Sequence, residues 1–155
     1  MLPLGHIGIR SVDGGGADRW TRFTRDEQLT MMSLWSIFRS PLIFGGELRD
    51  NDDWTLSLLT NREVLRVHRE SYGAKEALCK DELIVWTAGH TDGTRYAAVF
   101  NVGESPLQLD LALEEVGLSG TAAGTELWSG TPAELNAGSL QTTIPPHGVR
   151  LYSFL

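Results

Sequence analysis

Met31-Met32-Ser33-Leu34-Trp35-Ser36-Ile37-Phe38-Arg39-Ser40-Pro41-Leu42-Ile43-Phe44-Gly45-Gly46 is the stretch on which the fold turns. Leu29, Met32, Trp35 (or Ser36) and Arg39 recur at helical spacing, and Met31, Leu34, Ile37 and Phe38 widen the apolar stripe until little of the far side is polar, which predicts a heavily buried helix. Thr24 followed three residues later by Glu27 is a capping box and sets its start. Ser40-Pro41 ends it, because a residue before proline is disfavoured in helical geometry. Leu42-Ile43-Phe44 then runs without polar alternation into Gly45-Gly46, the pattern of a short strand buried on both faces in a parallel sheet. Downstream, Trp54 to Leu59 and Glu63 to Val67 read as further helical turns, with Asn61 capping the second. Upstream, residues 1–24 are rich in glycine, contain Asp13-Gly14-Gly15-Gly16, and read as an open loop. A lone strand covered on both faces leaves its edges and faces without partners, so this half is an incomplete sheet.

The sequence changes character near residue 74. Glu82 to Ala88, Tyr96 to Phe100, Leu107 to Leu113, Glu126 to Trp128, Leu140 to Ile144 and Val149 to Phe154 read as six short strands separated by turns. Thr91-Asp92-Gly93-Thr94 supplies one hairpin. Leu107, Leu109, Leu111 and Leu113 alternate with Gln108, Asp110 and Ala112, the clearest period of two in the chain. The expected fold class is therefore α/β followed by all-β, the second part a small antiparallel β-sandwich.

Composition bounds the function. The chain has 155 residues, enough for a packed core without disulfide or metal staples. Thirteen Lys and Arg against twenty Asp and Glu leave a net charge of −7, with no basic patch, so neither nucleic acid nor an anionic membrane is an expected partner. Apolar runs such as Pro41 to Phe44 are far short of the roughly 20 residues needed to span a bilayer. Cys79 is alone, which excludes an intrachain disulfide, and Met1 to His6 lacks the basic and apolar regions of a secretory signal.

A family resemblance rests on particular residues. Met1-Leu2-Pro3-Leu4-Gly5, Arg22-Phe23-Thr24, Glu27-Gln28, the stretch from Met31 to Gly46, and Leu58-Leu59-Thr60-Asn61-Arg62-Glu63-Val64 resemble, in order, the late part of glycoside hydrolase family 27 enzymes, the α-galactosidases and α-N-acetylgalactosaminidases. Glu126-Leu127-Trp128 and Pro146-His147-Gly148-Val149 are similar to that family's closing strands. The resemblance implies the terminal segment of a (β/α)8 TIM barrel over residues 1–73, with Leu42-Ile43-Phe44 as its last strand, and a C-terminal antiparallel β-sandwich over 74–155. It implies retaining hydrolysis of terminal α-galactosides in an intact enzyme, by two aspartates on barrel strands ahead of Met1, so no catalytic residue is expected in this chain. After Glu63-Val64-Leu65, the family's Asn-Gln-Asp is replaced by Val67-His68-Arg69-Glu70, which leaves galactose and N-acetylgalactosamine both open. The implied partners are carbohydrate and either the remaining barrel portion or a second copy. An independent carbohydrate- or partner-binding β-sandwich is the alternative, favoured by exposed aromatic residues and opposed by burial of Trp86, Tyr96 and Trp128.

The candidate substrate-binding residues are Met1, His6 and Arg10, all within a complete barrel. Met1 matches a family position beside the sugar pocket, while His6 and Arg10 could hydrogen-bond sugar hydroxyls from the loop that follows. Asp13 and Asp18 flank the glycine run and read as solvated turn acids, and Trp20 reads as a packing residue. Asp50-Asn51-Asp52-Asp53 lacks the spacing of a hard-cation loop and reads as a turn into the next helix. His6, His68, His90 and His147 are scattered, Cys79 has no activating neighbour, and Gly14-Gly15-Gly16 lacks a phosphate-loop ending. No cofactor and no metal are expected.

Overall fold

The computed structural model describes residues 1–8, 17–121 and 123–155. Two short strands, β1 (His6–Ile7) and β2 (Arg19–Trp20), precede helices α1 (Arg25–Ile37), α2 (Asp53–Thr60) and α3 (Arg62–Glu70). Eight strands follow: β3 (Tyr72–Lys80), β4 (Leu83–Gly89), β5 (Arg95–Asn101), β6 (Leu107–Ala112), β7 (Gly124–Glu126), β8 (Glu134–Asn136), β9 (Ser139–Ile144) and β10 (Val149–Phe154).

Local chemistry places the helices. The capping box forms, with the Thr24 amide donating to Glu27 Oε2 at 2.7 Å and the Glu27 amide donating to Thr24 Oγ1 at 3.2 Å. Asp52 caps α2 through the Thr55 amide at 2.8 Å. Asn61 caps α3 as expected and also donates from Nδ2 to the Leu127 carbonyl at 3.0 Å, so one side chain starts a helix and anchors it to the sandwich. Helix α1 stops at Ile37, short of the apolar stripe read from sequence, because Arg39 turns into the left-handed region at φ 58°. Its guanidinium then donates to the carbonyls of His68, Arg69 and Ser71, which satisfies the end of α3.

The expected strand at Leu42-Ile43-Phe44 needs correction. It is a single parallel bridge, Leu2 to Phe44, rather than a regular strand, and it is covered on one face only. The Leu2 amide donates to the Ile43 carbonyl at 2.7 Å, and the Gly45 amide returns to the Leu2 carbonyl at 2.9 Å. Leu42 and Phe44 pack with Leu2, Leu4, Met32 and Leu58 under α1 and α2, whereas Ile43 is 55% exposed on the opposite face. Gly46 is required at this seam, since a Cβ there would collide with the Leu4 carbonyl and the Phe44 ring. The open loop expected over residues 1–24 is likewise corrected for residues 1–8 and 17–24, the Asp13-Gly14-Gly15-Gly16 run lying outside the described residues. Leu2 pairs with Phe44, and β1 and β2 form an antiparallel ladder with His6 opposite Trp20. Residues 1–4, α1 and residues 42–45 therefore make a parallel strand–helix–strand crossover, of which only the second half is written in the local sequence pattern.

The remaining strands build the sandwich. A five-stranded sheet of order β3-β4-β5-β10-β7 faces a three-stranded sheet of order β6-β9-β8, with antiparallel neighbours throughout. Val85, Val99, Leu111, Leu140, Ile144, Tyr152 and Phe154 fill the space between them. The other face of the five-stranded sheet presents Ala98, Phe100 and Leu151 to Ile37, Val64 and Val67 of α1 and α3. Strand β5 is thus covered on both sides, which is why Tyr96-Ala97-Ala98-Val99-Phe100 contains no charged residue. Asn101, 1% exposed, locks the end of β5 by donating from Nδ2 to the carbonyls of Ser105, Ile144 and Pro145 while its Oδ1 accepts the Gly103 amide.

Two strands lack a clear sequence signal, and one is displaced from its expected place. Strand β3 carries Gly73, Ala74, Lys75 and Glu76, weak strand formers, and register shifts between Tyr72 and Lys75 and between Glu76 and Leu78 break its alternation. Strand β8 is only three residues long. Strand β7 ends at Glu126, so Leu127 and Trp128 lie in the following turn rather than in a strand.

Candidate functional site

The crossover directs two chain segments the same way, so residues 5–7 and 45–50 emerge side by side at the C-terminal ends of the paired segments. In parallel α/β architectures this is the end at which ligands are handled. The Glu47 amide donates to the His6 carbonyl at 2.8 Å and extends the pairing into this rim. Glu47 in turn holds Arg49, with Arg49 Nη2 2.9 Å from Glu47 Oε2.

His6 is the hub. Its Nδ1 meets Asp50 Oδ2 at 2.6 Å, its Nε2 meets Asp18 Oδ1, and its ring stacks on Trp20 with centroids 5.0 Å apart and planes 12° apart. The Asp50 and Asp18 carboxylates raise the imidazole above its ordinary pKa, against a smaller opposing effect of burial. An imidazolium engaged at both nitrogens is neither nucleophile nor free base, and the two carboxylates are held at opposite edges of the ring. The arrangement is a clasp across three segments: β1, the turn before β2, and the turn before α2.

The residues singled out from the sequence fall into distinct places. Met1 is 83% exposed beside Ile43 on the uncovered face of the paired segments. His6 lies at the rim with both nitrogens occupied, so an approaching hydroxyl would meet the ring face or the carboxylates. Arg10 and Asp13 lie outside the described residues. Asp18 is an ion partner of His6 rather than a free turn acid, and Trp20 is 44% exposed against His6 rather than a packing residue. Asp50 belongs to the same clasp, which no local pattern signals, because 44 residues separate it from His6. Within the acidic run, Asp50 binds His6 and Asp52 caps α2, so both are committed to the fold.

The other histidines join parts of the fold. His68 Nε2 lies 2.9 Å from the Ser40 carbonyl, and His147 lies near Glu27 and Glu104. His90 contacts Glu70 and Asp92, and Arg66 reaches the same two acids, linking α3 to the β4–β5 turn. Glu70 is held below the ordinary carboxylate range by His90 and then Arg66. Asp92 is held far below it, chiefly by the Thr94 amide and hydroxyl. Cys79 is exposed.

Aromatic side chains serve the junction. Tyr96 is 2% exposed, and Trp86 and Trp128 pack where the five-stranded sheet meets the helices. Trp128 Nε1 donates to Ser33 Oγ of α1 at 2.8 Å. An apolar groove of about 280 Å³, lined by Leu34, Trp35, Phe38, Ser40 and Trp86, remains on the outer side of α1, with Phe38 59% exposed.

Comparison with known proteins matches residues 80–154 to the family described as the alpha galactosidase C-terminal beta sandwich domain. A probable alpha-galactosidase D of Aspergillus niger is 31% identical over 137 residues, covering 83% of this chain and 21% of that protein. A GH27 β-L-arabinopyranosidase from Geobacillus stearothermophilus superposes with a TM-score of 0.91 at 51% identity, covering 99% of this chain and 35% of that one. A putative α-N-acetylgalactosaminidase from Bacillus halodurans gives a TM-score of 0.91 at 46% identity, covering 99% of this chain and 36% of that one. The chain thus spans about a fifth to a third of the length of these relatives.

Proposed function

Since this chain belongs to glycoside hydrolase family 27 as the counterpart of its C-terminal portion, we propose that it completes and braces the catalytic barrel of a retaining exo-glycosidase. The substrate class is terminal α-galactosides and sugars of the same ring configuration, which include β-L-arabinopyranosides. Residues 1–73 act as the last barrel elements and residues 74–155 as the sandwich. The observation that carries this is the one-sided crossover. Leu2, Leu4, Leu42 and Phe44 are covered by helices, while Met1 and Ile43 face outward on the side that the interior of a barrel occupies. Further barrel strands are the partner this face fits, and they supply the two carboxylates that retaining chemistry needs. Met1 and His6 lie on the substrate side in that assembly, with His6 acting through the clasp that fixes the rim. A binding surface built on the sandwich aromatics Trp86, Tyr96 and Trp128 is disfavoured, because Tyr96 is buried and Trp86 and Trp128 are committed to the helix–sheet junction.

The test is a graft. Replacing the equivalent portion of the Geobacillus arabinopyranosidase with this chain should give a folded hybrid that hydrolyses p-nitrophenyl β-L-arabinopyranoside. The 155-residue chain alone should hydrolyse neither that compound nor the α-galactoside. An unfolded hybrid, or turnover by the chain alone that disappears in Asp18→Asn, would overturn the proposal.

A further inference from the structure

A wide polar cleft lies in the sandwich. It has a volume of about 660 Å³ and opens between the turn that follows β7 and the adjoining strands β6, β9 and β10. That volume falls within the range of roughly 300–1,000 Å³ typical of small-molecule sites. Its chemistry is mixed. Gln108 and Arg150 bring donors, Asp110 and Glu134 bring acceptors, and Thr131 and Thr143 bring hydroxyls that do both.

Three features make the cleft more than a polar dent. Its wall is fixed by Glu126, 7% exposed, whose carboxylate accepts the Ser129 amide at 2.8 Å, the Ser129 hydroxyl at 2.7 Å and the Leu151 amide at 3.2 Å. Tyr152, 3% exposed, backs the cleft from the core between the sheets, its hydroxyl donating to Thr142 Oγ1 at 3.0 Å and its ring stacked on Phe154. Arg150, half-buried, donates from Nη1 to the Val149 carbonyl, and no carboxylate is paired with it among the described residues. A guanidinium has five N–H donors, so most of its hydrogen-bonding capacity is directed to water or a ligand.

The ligand class follows from charge and shape. Three carboxylates, Asp110, Glu126 and Glu134, stand against the one guanidinium of Arg150, which opposes an anion. Alternating donors and acceptors oppose an apolar ligand. We propose that the cleft is a binding site for a neutral saccharide of one or two pyranose rings. Ring hydroxyls donate to Asp110 and Glu134 and accept from Arg150. The assignment uses only the sandwich and does not depend on catalysis by a surrounding barrel.

Titration of the ¹⁵N-labelled chain with melibiose, followed by amide shifts, tests it. The expected result is saturable shifts centred on Ser129, Thr131, Thr143 and Arg150, weakened about tenfold, the equivalent of roughly 1.4 kcal/mol, in Arg150→Ala. Glu134→Ala alters an exposed side chain, keeps the fold, and should weaken binding in the same direction. Glucuronate should bind more weakly than melibiose. Absence of saturable shifts at these residues, shifts centred elsewhere, or tighter binding of glucuronate would each overturn the proposal. Because no turnover is read, failure here would leave the barrel-completing role standing, and failure of the graft would leave the cleft standing.

Discussion

Ile37→Ala tests whether the helices and the sandwich form one folding unit. Ile37 is fully buried, packed with Val64 and Val67 of α3 on one side and Phe100 and Leu151 of the five-stranded sheet on the other. Removing most of its side chain leaves a cavity whose walls belong to three elements. A helix and a sheet cannot both close on it without shifting α3, so the loss should lie near the middle of the large-to-small range, about 3 kcal/mol. With a urea slope of about 2 kcal/mol per molar, that is a fall in midpoint of roughly 1.5 M. A domain of this size has about 5–15 kcal/mol of stability in all, so the variant still folds and the shift is measurable. Two probes separate the parts: helical circular dichroism for α1 to α3, and hydrogen exchange of β5 and β10 amides for the sheet. Both should shift together. A lowered helical midpoint with unchanged protection of Val99 and Leu151 would show that the helices unfold independently and would refute the shared core.

Other perturbations read different links. Asn101→Ala leaves three carbonyls and one amide without their partner in a nearly solvent-free site, so it should cost about 3 kcal/mol or more in thermal or urea unfolding; a loss below about 1 kcal/mol would mean that the β5 end rearranges freely. Stability should also fall at both ends of the pH scale. Glu70 and Asp92 are held below the ordinary carboxylate range, so their contribution is complete above their unfolded pKa values and is lost as pH falls through the folded ones, and Asp92→Asn should flatten that acid limb. His6 is raised, so its contribution is complete below the unfolded imidazole pKa and is lost as pH rises through the folded one, and His6→Gln should flatten the alkaline limb.

How much of this was legible depended on whether the determining contact was local. The capping box at Thr24 and Glu27, the cap at Asn61 and the Asp92-Gly93 turn involve residues a few positions apart, and all three are present. Strand β6 was legible because its two faces meet different environments: Leu111 is buried, Gln108 and Asp110 are exposed. Strand β3 was not, because bulges interrupt its register and its hydrogen bonds come from β4 rather than from its own side-chain preferences. The clasp around His6 was legible only as separate pieces. Asp18, Trp20 and Asp50 are brought together by the β1–β2 ladder and by the Leu2–Phe44 bridge, and neither has a sequence signature.

The clearest disagreement between sequence and structure is also the most informative one. Leu42-Ile43-Phe44 is written for burial on two faces, yet only Leu42 and Phe44 are packed under helices, and Ile43 stays 55% exposed. Met1 at 83% exposure extends the uncovered apolar surface on the same face. A buried side chain of this size is worth about 1.5–3 kcal/mol over an exposed one, so Met1 and Ile43 together forgo several kcal/mol that an adjoining strand or helix would recover. A sandwich partner cannot provide that cover, because the five-stranded sheet already packs on the other side of α1 through Ile37. The cover must approach the face of the crossover that carries Met1 and Ile43, which in a closed parallel barrel is the interior, and the pair must be extended along its open edges. A graft into a family barrel should therefore bury Ile43, and Ile43→Asp should disrupt the hybrid while leaving the 155-residue chain nearly as stable as before. Equal destabilisation of both would show that Ile43 already has its full complement of neighbours and would remove the argument for a barrel interior at this face.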